Sequence, residues 1–557
     1  MDKQYFTEFN GYFVKDTDAR EELEKRAKWY YVNNTMTQQE IQNLFNNVGY
    51  KIIEFEKGNY TFNDTFILNE NTKIILNNSN LTFTVAHAFR NFISTDTFLS
   101  YNGNGNISII GGNIIGGACS FCHSTNILFE DVSFINCLGA HILEMMSIND
   151  LKVNNCIFKG LGIQASDRQY VEYIQIDDCT YDNFPWFSDT TNITYDGTPN
   201  INWFITNNKF LAPTDTGYDF YTAIGGHTAL LNSIHSNINV INNIFDGFTY
   251  AGIRFRNVIN SNICDNYFKN NSVARVTNTI VLQETIDNIK IERNINDGNG
   301  HSRFLFANTP TSNIKICDNE IFNMITPTDS TTSNNYIIYY QVCTSMIIDN
   351  NIIRDVNMPI LRSANVGYDE NNTYYTYFKN NTIKANSIID YITVFDANAY
   401  VSIINNNFDI ASNSKYVVRL STYVNKLIFK NNKFNAIVKA SSLSFNGYAG
   451  DYQDIDDVLI SAYSGNTQSI EEEELTYPYE QFNTMVIVAG TGNYTQYYKV
   501  RDFSPRGNLT ARTYRFGAYG SSVDGKIALT LGANNTFSYS CTVGINLRAI
   551  YLLNEIE

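Results

Sequence analysis

The sequence predicts an all-β chain: a right-handed parallel β-helix, with a short helical segment before it and an antiparallel β-sandwich after it. Three observations predict this. Short stretches such as "NINVI" and "GIRFR", between Asn237 and Arg256, alternate apolar residues with others, and a period of two belongs to strands. Asn126, Asp150 and Tyr173, then Asn237, Asn262, Asn288 and Asn313, fall about 23 to 26 residues apart, a solenoid spacing. A corner signature follows in each unit: "NNCIF" from Asn154, "NNKF" from Asn207, "NNIF" from Asn242, "DNYF" from Asp265 and "DNEIF" from Asp318.

Each unit then reads as strand, Asn corner, strand, Gly-containing loop, strand. That is one coil, in which every strand pairs with its equivalent in the next coil. Asparagine, about one residue in seven, suits the corner because it tolerates the left-handed backbone and its amide can bond to the amide stacked above. Isoleucine and phenylalanine fill the interior.

Residues 1–48 read as a helical attachment segment. Its two helix-like pieces are Thr17 to Tyr31, opening with a capping Thr or Asp, and Thr37 to Val48, following an N-cap position. The coils are expected over 49–450. Residues 451–478 read as an acidic linker whose Glu471 to Glu474 run is a solvated charge stretch. Over 479–557 the period vanishes, and strands such as "NTMVIVAG" and "KIALTLG" between Gly and Asn turns predict a sandwich for binding or trimerisation.

The formal net charge is −16, which argues against nucleic acid because phosphate neutralisation needs clustered Lys and Arg. Nowhere do eighteen apolar residues run together, so no membrane span is expected. "MDKQYFTEFNGYFVKD" lacks a basic segment followed by an apolar run, so synthesis in a cytoplasm without a secretory leader is expected. Nine cysteines sit mostly in strand-like stretches and read as reduced core thiols. "CSFCH", Cys119 to His123, has the spacing of covalent haem attachment, yet its surroundings offer no helical wrapper, so two thiols in a β turn are expected. The absence of a second C-x-x-C pair argues against zinc.

These residues resemble the pectate-lyase-like parallel β-helix superfamily, and in particular bacteriophage tailspike and tail-fibre proteins. The entry helix and G-x-Y strand, "TQQEIQNLFNNVGYKIIEFEKGNYTFNDTFIL", carry the likeness. So do the coils "HSTNILFEDVSFINCLGAHILEMMSINDLKVNNCIFKG" and "EYIQID", which are similar to those of proteins from Gram-positive bacteria and their phages, and the opening "NGYFVKDTDAR". The resemblance implies a homotrimeric virion protein, joined to other tail proteins through its N-terminus and meeting a host cell-surface polysaccharide or teichoic acid. It does not fix a reaction, because the superfamily includes hydrolases, lyases, esterases and pure binders.

Aligning the third strand of four coils through Leu143, Ile174, Ile224 and Ile253 turns the intervening residues outward. One outward column then holds Glu144, Gln175, Gly225 and Arg254, and the next holds Met146, Asp177, His227 and Arg256. With coils about 4.8 Å apart, Glu144 and Asp177 come out near ~8 Å, room for the water that inverting glycoside hydrolysis requires. His227 is a candidate proton carrier. Gln175, Arg254 and Arg256 are candidates for holding an acidic substituent, Gly225 for leaving space for a sugar ring, and Trp186, Trp203, Tyr218 and Tyr221 for stacking on sugars. Against this stands the plain reading that the outer faces of solenoids are polar anyway. Later coils offer only Gln283, Glu284, Arg303 and Gln341 on the equivalent strand, and His141 and His235 read as turn-bonding residues.

Hydrolysis of a surface glycan is therefore the first expectation, without a cofactor. A lyase would use Arg254 as base, with Ca²⁺ on Asp177 and Asp178. A receptor-binding fibre would hold the glycan uncut.

Overall fold

The computed structural model describes residues 6–9, 12–15, 27–91, 99–138, 141–160, 171–177, 197–212, 221–226, 233–248, 250–269, 277–299, 303–325, 335–364, 369, 371–385, 391–396, 400–410, 416–420, 424, 426–434, 443–444, 460–467, 469–475, 479, 482–491, 494–501, 511–519, 524–532, 536–541 and 545–553. For some of these, Asp177 and Tyr221 included, only the backbone is described. The chain forms two units, Met1–Tyr340 and Gln341–Glu557.

In the first unit the expected coils are present as a right-handed parallel β-helix. The strands Ile201–Thr206, Lys209–Leu211 and Tyr221–Gly226 make one coil, followed by His235–Ile241, Ile244–Asp246 and the start of Ala251–Cys264. Equivalent strands pair in parallel, for example Trp203 with Ile238 and Phe210 with Phe245. Four strands of 13 to 15 residues run through a coil corner without a break, among them Ala118–Glu130 and Asn278–Glu292.

Asparagines close the corners in two ladders. Asn155, Asn207 and Asn242 take left-handed φ of 53°, 59° and 56°, which an Asn side chain tolerates better than most. The buried ladder runs beside them: backbone N–H groups of Asn208, Asn243, Asn266 and Asn294 donate to Oδ1 of Asn243, Asn266, Asn294 and Asn319 at 2.9, 2.9, 3.0 and 2.9 Å. Each Nδ2 in turn reaches a carbonyl, as Asn266 does with Val240 at 2.9 Å. Asn266→Ala leaves the buried Asn243 N–H without its acceptor, so unfolding in urea should show a loss of about 2–3 kcal/mol. An unchanged midpoint would mean that the ladder contributes nothing. Next to this ladder the rings of Phe134, Phe158, Phe210, Phe245 and Phe268 stack at 5.1, 4.9, 4.8 and 4.5 Å through the core.

The entry helix is Gln38–Phe45, held by a capping box between Thr37 and Glu40. Ile41 and Phe45 are its buried face, and Phe45 lies 5.2 Å from Phe66, so the helix covers apolar residues of the first coils. The expected helix over Thr17 to Tyr31 is corrected at its end. Lys28–Val32 is a strand, parallel to Lys51–Phe55; aromatic and β-branched residues here favour pairing with the first coil over local helix propensity. Most of the rest of that stretch lies outside the described residues, and Phe6–Phe9 and Tyr12–Lys15 form an antiparallel hairpin.

The second unit repeats the coil pattern, with Tyr375–Lys379 pairing in parallel with Ser345–Asp349 and Tyr400–Ile404. Two four-stranded antiparallel sheets follow. The expected linker belongs to them: Ile460–Thr467 pairs with Asn546–Leu553, and Ser469–Glu474 with Thr536–Cys541. The Glu471–Glu474 run thus lies on an exposed strand, where charge guards a sheet edge against further pairing.

Eight cysteines are described as free thiols, seven of them buried. Cys119 and Cys122 lie within the strand Ala118–Glu130, which corrects the expected turn. Among the described residues no helix is long and apolar enough to cross a membrane.

Candidate functional site

The predicted column assembles in register. Glu144 pairs with Gln175, Gln175 with Gly225 and Gly225 with Arg254. On the N-terminal side it continues through Ser120 to Arg90, and on the other through Val281 and Phe306 to Tyr339. Asp177 falls opposite Met146, one coil over and two residues along from Glu144; its side chain, all of His227, Trp186, Asp178 and Tyr218, and the side chain of Tyr221 lie outside the described residues. Arg256 pairs with Gln283.

Two groups of charge organise this face. In the first, the Ser120 hydroxyl donates to Glu144 Oε2, and His87 Nδ1 lies 2.8 Å from Ser120 Oγ and 3.6 Å from the same carboxylate oxygen. Burial pulls the Arg90 guanidinium below its usual range, opposed by the charge of Glu144. In the second, Glu172 is fully buried between His141 Nδ1 at 3.3 Å and Arg254 Nη1 at 3.9 Å. Burial alone would push the His141 imidazole down; its contact with Glu172, with Glu144 adding, outweighs that and leaves it raised. Arg254 also donates from Nε to Gln283 Oε1 at 2.9 Å, and Arg256 Nη2 to Glu284 Oε1 at 3.2 Å.

Arg90, His87, Ser120, Glu172 and the role of His141 escape the sequence reading. The one signal for Glu172 is Gly225. A Cβ at Gly225 would lie 2.3 Å from Glu172 Cγ, so the glycine makes room for a buried carboxylate, which corrects its reading as space for a sugar ring. Gly225→Ala should destabilise the fold by about 1–3 kcal/mol through this overpacking; an unaltered denaturation midpoint would show that Glu172 does not sit there.

Trp203 is also corrected. It is fully buried, donates from Nε1 to Ile148 O at 3.0 Å, and pairs in register with Leu151 and Ile238. It fills the core and presents no ring to a ligand. His235 is fully buried as well, its Nδ1 accepting from Asn200 N at 2.9 Å, and burial depresses it to about 3. Among the described residues no cluster of three or more His, Cys, Asp or Glu side chains is placed to hold a metal ion.

The sheltering leaves Glu144 with 15% and His87 with 22% of their side-chain surface, against none for Glu172. Glu144 is thus the carboxylate of this pair that an incoming molecule can touch, and Glu172 is the one that holds Arg254 and His141.

No family model matches the chain. A curated relative, the plasmin and fibronectin-binding protein A of Streptococcus pneumoniae, is 24% identical over 327 residues, 56% of this chain. The match spans 41% of that relative's length. Among solved structures, the Streptococcus pneumoniae surface protein and adhesin PfbA is similar over 75% of this chain and 99% of its own, at 18% identity and a TM-score of 0.44. Tailspike protein 2 of the Escherichia coli O157:H7 bacteriophage CAB120 is similar over 89% of this chain and 65% of its own, at 11% identity and a TM-score of 0.21.

Proposed function

We propose that this protein binds a bacterial cell-surface glycan along the Arg90–Arg254 column and depolymerises it by hydrolysis. One observation carries the reading: successive coils gather two carboxylates, two imidazoles and two guanidiniums onto one face, with Glu172 fully buried between His141 and Arg254. Buried ion pairs are seldom better for stability than apolar packing, so a role in folding alone is a poor reason for the cluster. Perturbed, mutually paired groups gather at functional sites.

In this reading Glu144, held by Ser120 and His87, exchanges a proton with the glycosidic oxygen, and Asp177 in the neighbouring coil activates a water. A guanidinium already paired to a carboxylate is a poor base, so the geometry of Arg254 supports hydrolysis over elimination. Within the same reading the chain is a homotrimeric phage tail protein whose first 48 residues face other virion proteins; this part rests on the motifs that resemble tail proteins.

A second reading is favoured by the curated relative, which is named for binding, and by Arg254, whose charge is met by Glu172 and whose Nε is held by Gln283: a receptor-binding protein that cuts nothing. Incubating the full chain with Gram-positive cell-wall glycans and following new reducing ends separates the two. Release of reducing ends without a new ultraviolet-absorbing double bond supports the hydrolase, binding without release supports the receptor, and neither binding nor release overturns both.

A further inference from the structure

Arg303 lies two coils beyond Arg254 along the same face and retains 7% of its surface. Among the described residues no carboxylate lies within ion-pair distance of it, and its buried Nε has no hydrogen-bond partner. Its guanidinium carbon rests 4.4 Å from the centroid of Phe306, whose ring stacks with Tyr339 at 5.3 Å. Asn278 pairs in register with Arg303, and its buried Oδ1 meets no hydrogen-bond partner among the described residues. Tyr250 links the two arginines: Arg254 Cζ lies 5.9 Å from its ring, and its phenol is close enough to influence the charge on Arg303.

A guanidinium taken out of water without a counter-charge is costly to fold. Burial pulls Arg303 down to about 10, against the opposing effect of the Tyr339 and Tyr250 phenols. Every other arginine of this face for which a partner is described meets a carboxylate: Arg254 meets Glu172, and Arg256 meets Glu284. Among the described residues Arg303 has an aromatic floor instead, and a ring face occupies none of the donors that a planar anion would meet.

We propose that Arg303 is an anion subsite at the C-terminal end of this face, binding a carboxylate or phosphodiester of an acidic glycan while the adjoining sugar packs against Phe306. The inference rests on the reading that this face holds a glycan, and it narrows the ligand to a charged polymer.

The test uses the full chain and Arg303→Met. Calorimetry follows a glycerol-phosphate polymer, an oligogalacturonate and neutral dextran; thermal unfolding is followed with inorganic phosphate or glucuronate alone. Wild type should prefer one of the two acidic polymers, which identifies phosphate or carboxylate as the source. Arg303→Met should weaken that binding about 10–100-fold, leave any dextran affinity unchanged, abolish the shift by the small anion, and keep or raise the unliganded midpoint. Equal acidic-polymer affinity in the variant, or no small-anion shift in wild type, overturns the subsite even where the glycan binds. A small-anion shift that depends on Arg303 without polymer binding keeps the subsite and overturns the glycan reading. Should Arg303→Met lower the midpoint steeply, Arg303→Lys decides: unchanged anion affinity there overturns the bidentate role.

Discussion

Replacing Glu144 with glutamine should lower glycan turnover about 10²–10⁴-fold, the usual contribution of a positioned proton donor or acceptor, and change glycan affinity only a few-fold. Glutamine keeps the shape and can still accept the Ser120 hydroxyl through its amide oxygen, so the contacts that seat the side chain survive. It cannot deliver or take up a proton. The loss should therefore appear in kcat, read from reducing-end release, with KM nearly constant. Glu144 is the right carboxylate to test because it retains 15% exposure while Glu172 retains none. Full turnover by Glu144→Gln would remove the acid–base role, and hydrolysis at this column with it.

The register of Glu144, Gln175, Gly225 and Arg254 was legible because a single apolar thread, Leu143, Ile174, Ile224 and Ile253, marks the inward face in four coils. A period of two then determines which neighbours face out. Glu172 was not legible by that rule. Tyr173 breaks the alternation: its ring packs 6.5 Å from Phe158, and its hydroxyl accepts from Gly160 N and donates to Leu211 O, both at 2.8 Å. With Tyr173 turned inward beside Ile174, Glu172 lies over the outward Gly225. Arg90 and Ser120 were hidden by a register shift between Ala118 and Cys119, which displaces the pairing with His87 and Phe89 by one residue. Trp203 failed for the opposite reason. Its strand follows a long interruption of the repeat, so it looked like part of the loop, although Ile201–Thr206 pairs with coils on both sides. The corners were the most legible feature, because left-handed backbone and amide stacking both select asparagine. The strand Lys28–Val32 and the strands of the supposed linker depend on partners far away in the sequence, which local propensity does not report.

Acid should weaken the first unit through His235. Nδ1 accepts the Asn200 N–H, so this nitrogen carries no proton in the fold, and burial holds the imidazole neutral down to about 3. In the unfolded chain the same group gains its proton near the ordinary value of about 6.5. Between those values the unfolded state binds the extra proton, so stability is complete above about pH 6.5 and is lost as the pH falls toward 3. Each pH unit is worth about 1.4 kcal/mol, so the whole window costs about 4–5 kcal/mol. Asparagine at 235 offers an acceptor near the position of Nδ1 but does not titrate, so His235→Asn should lose this part of the pH slope and keep whatever the carboxylates contribute. Urea unfolding of both proteins at pH 7 and pH 4 measures the difference, expected at about 3 kcal/mol. Equal slopes would show that His235 is protonated inside the fold, and the neutral acceptor at the Asn200 corner would have to be abandoned.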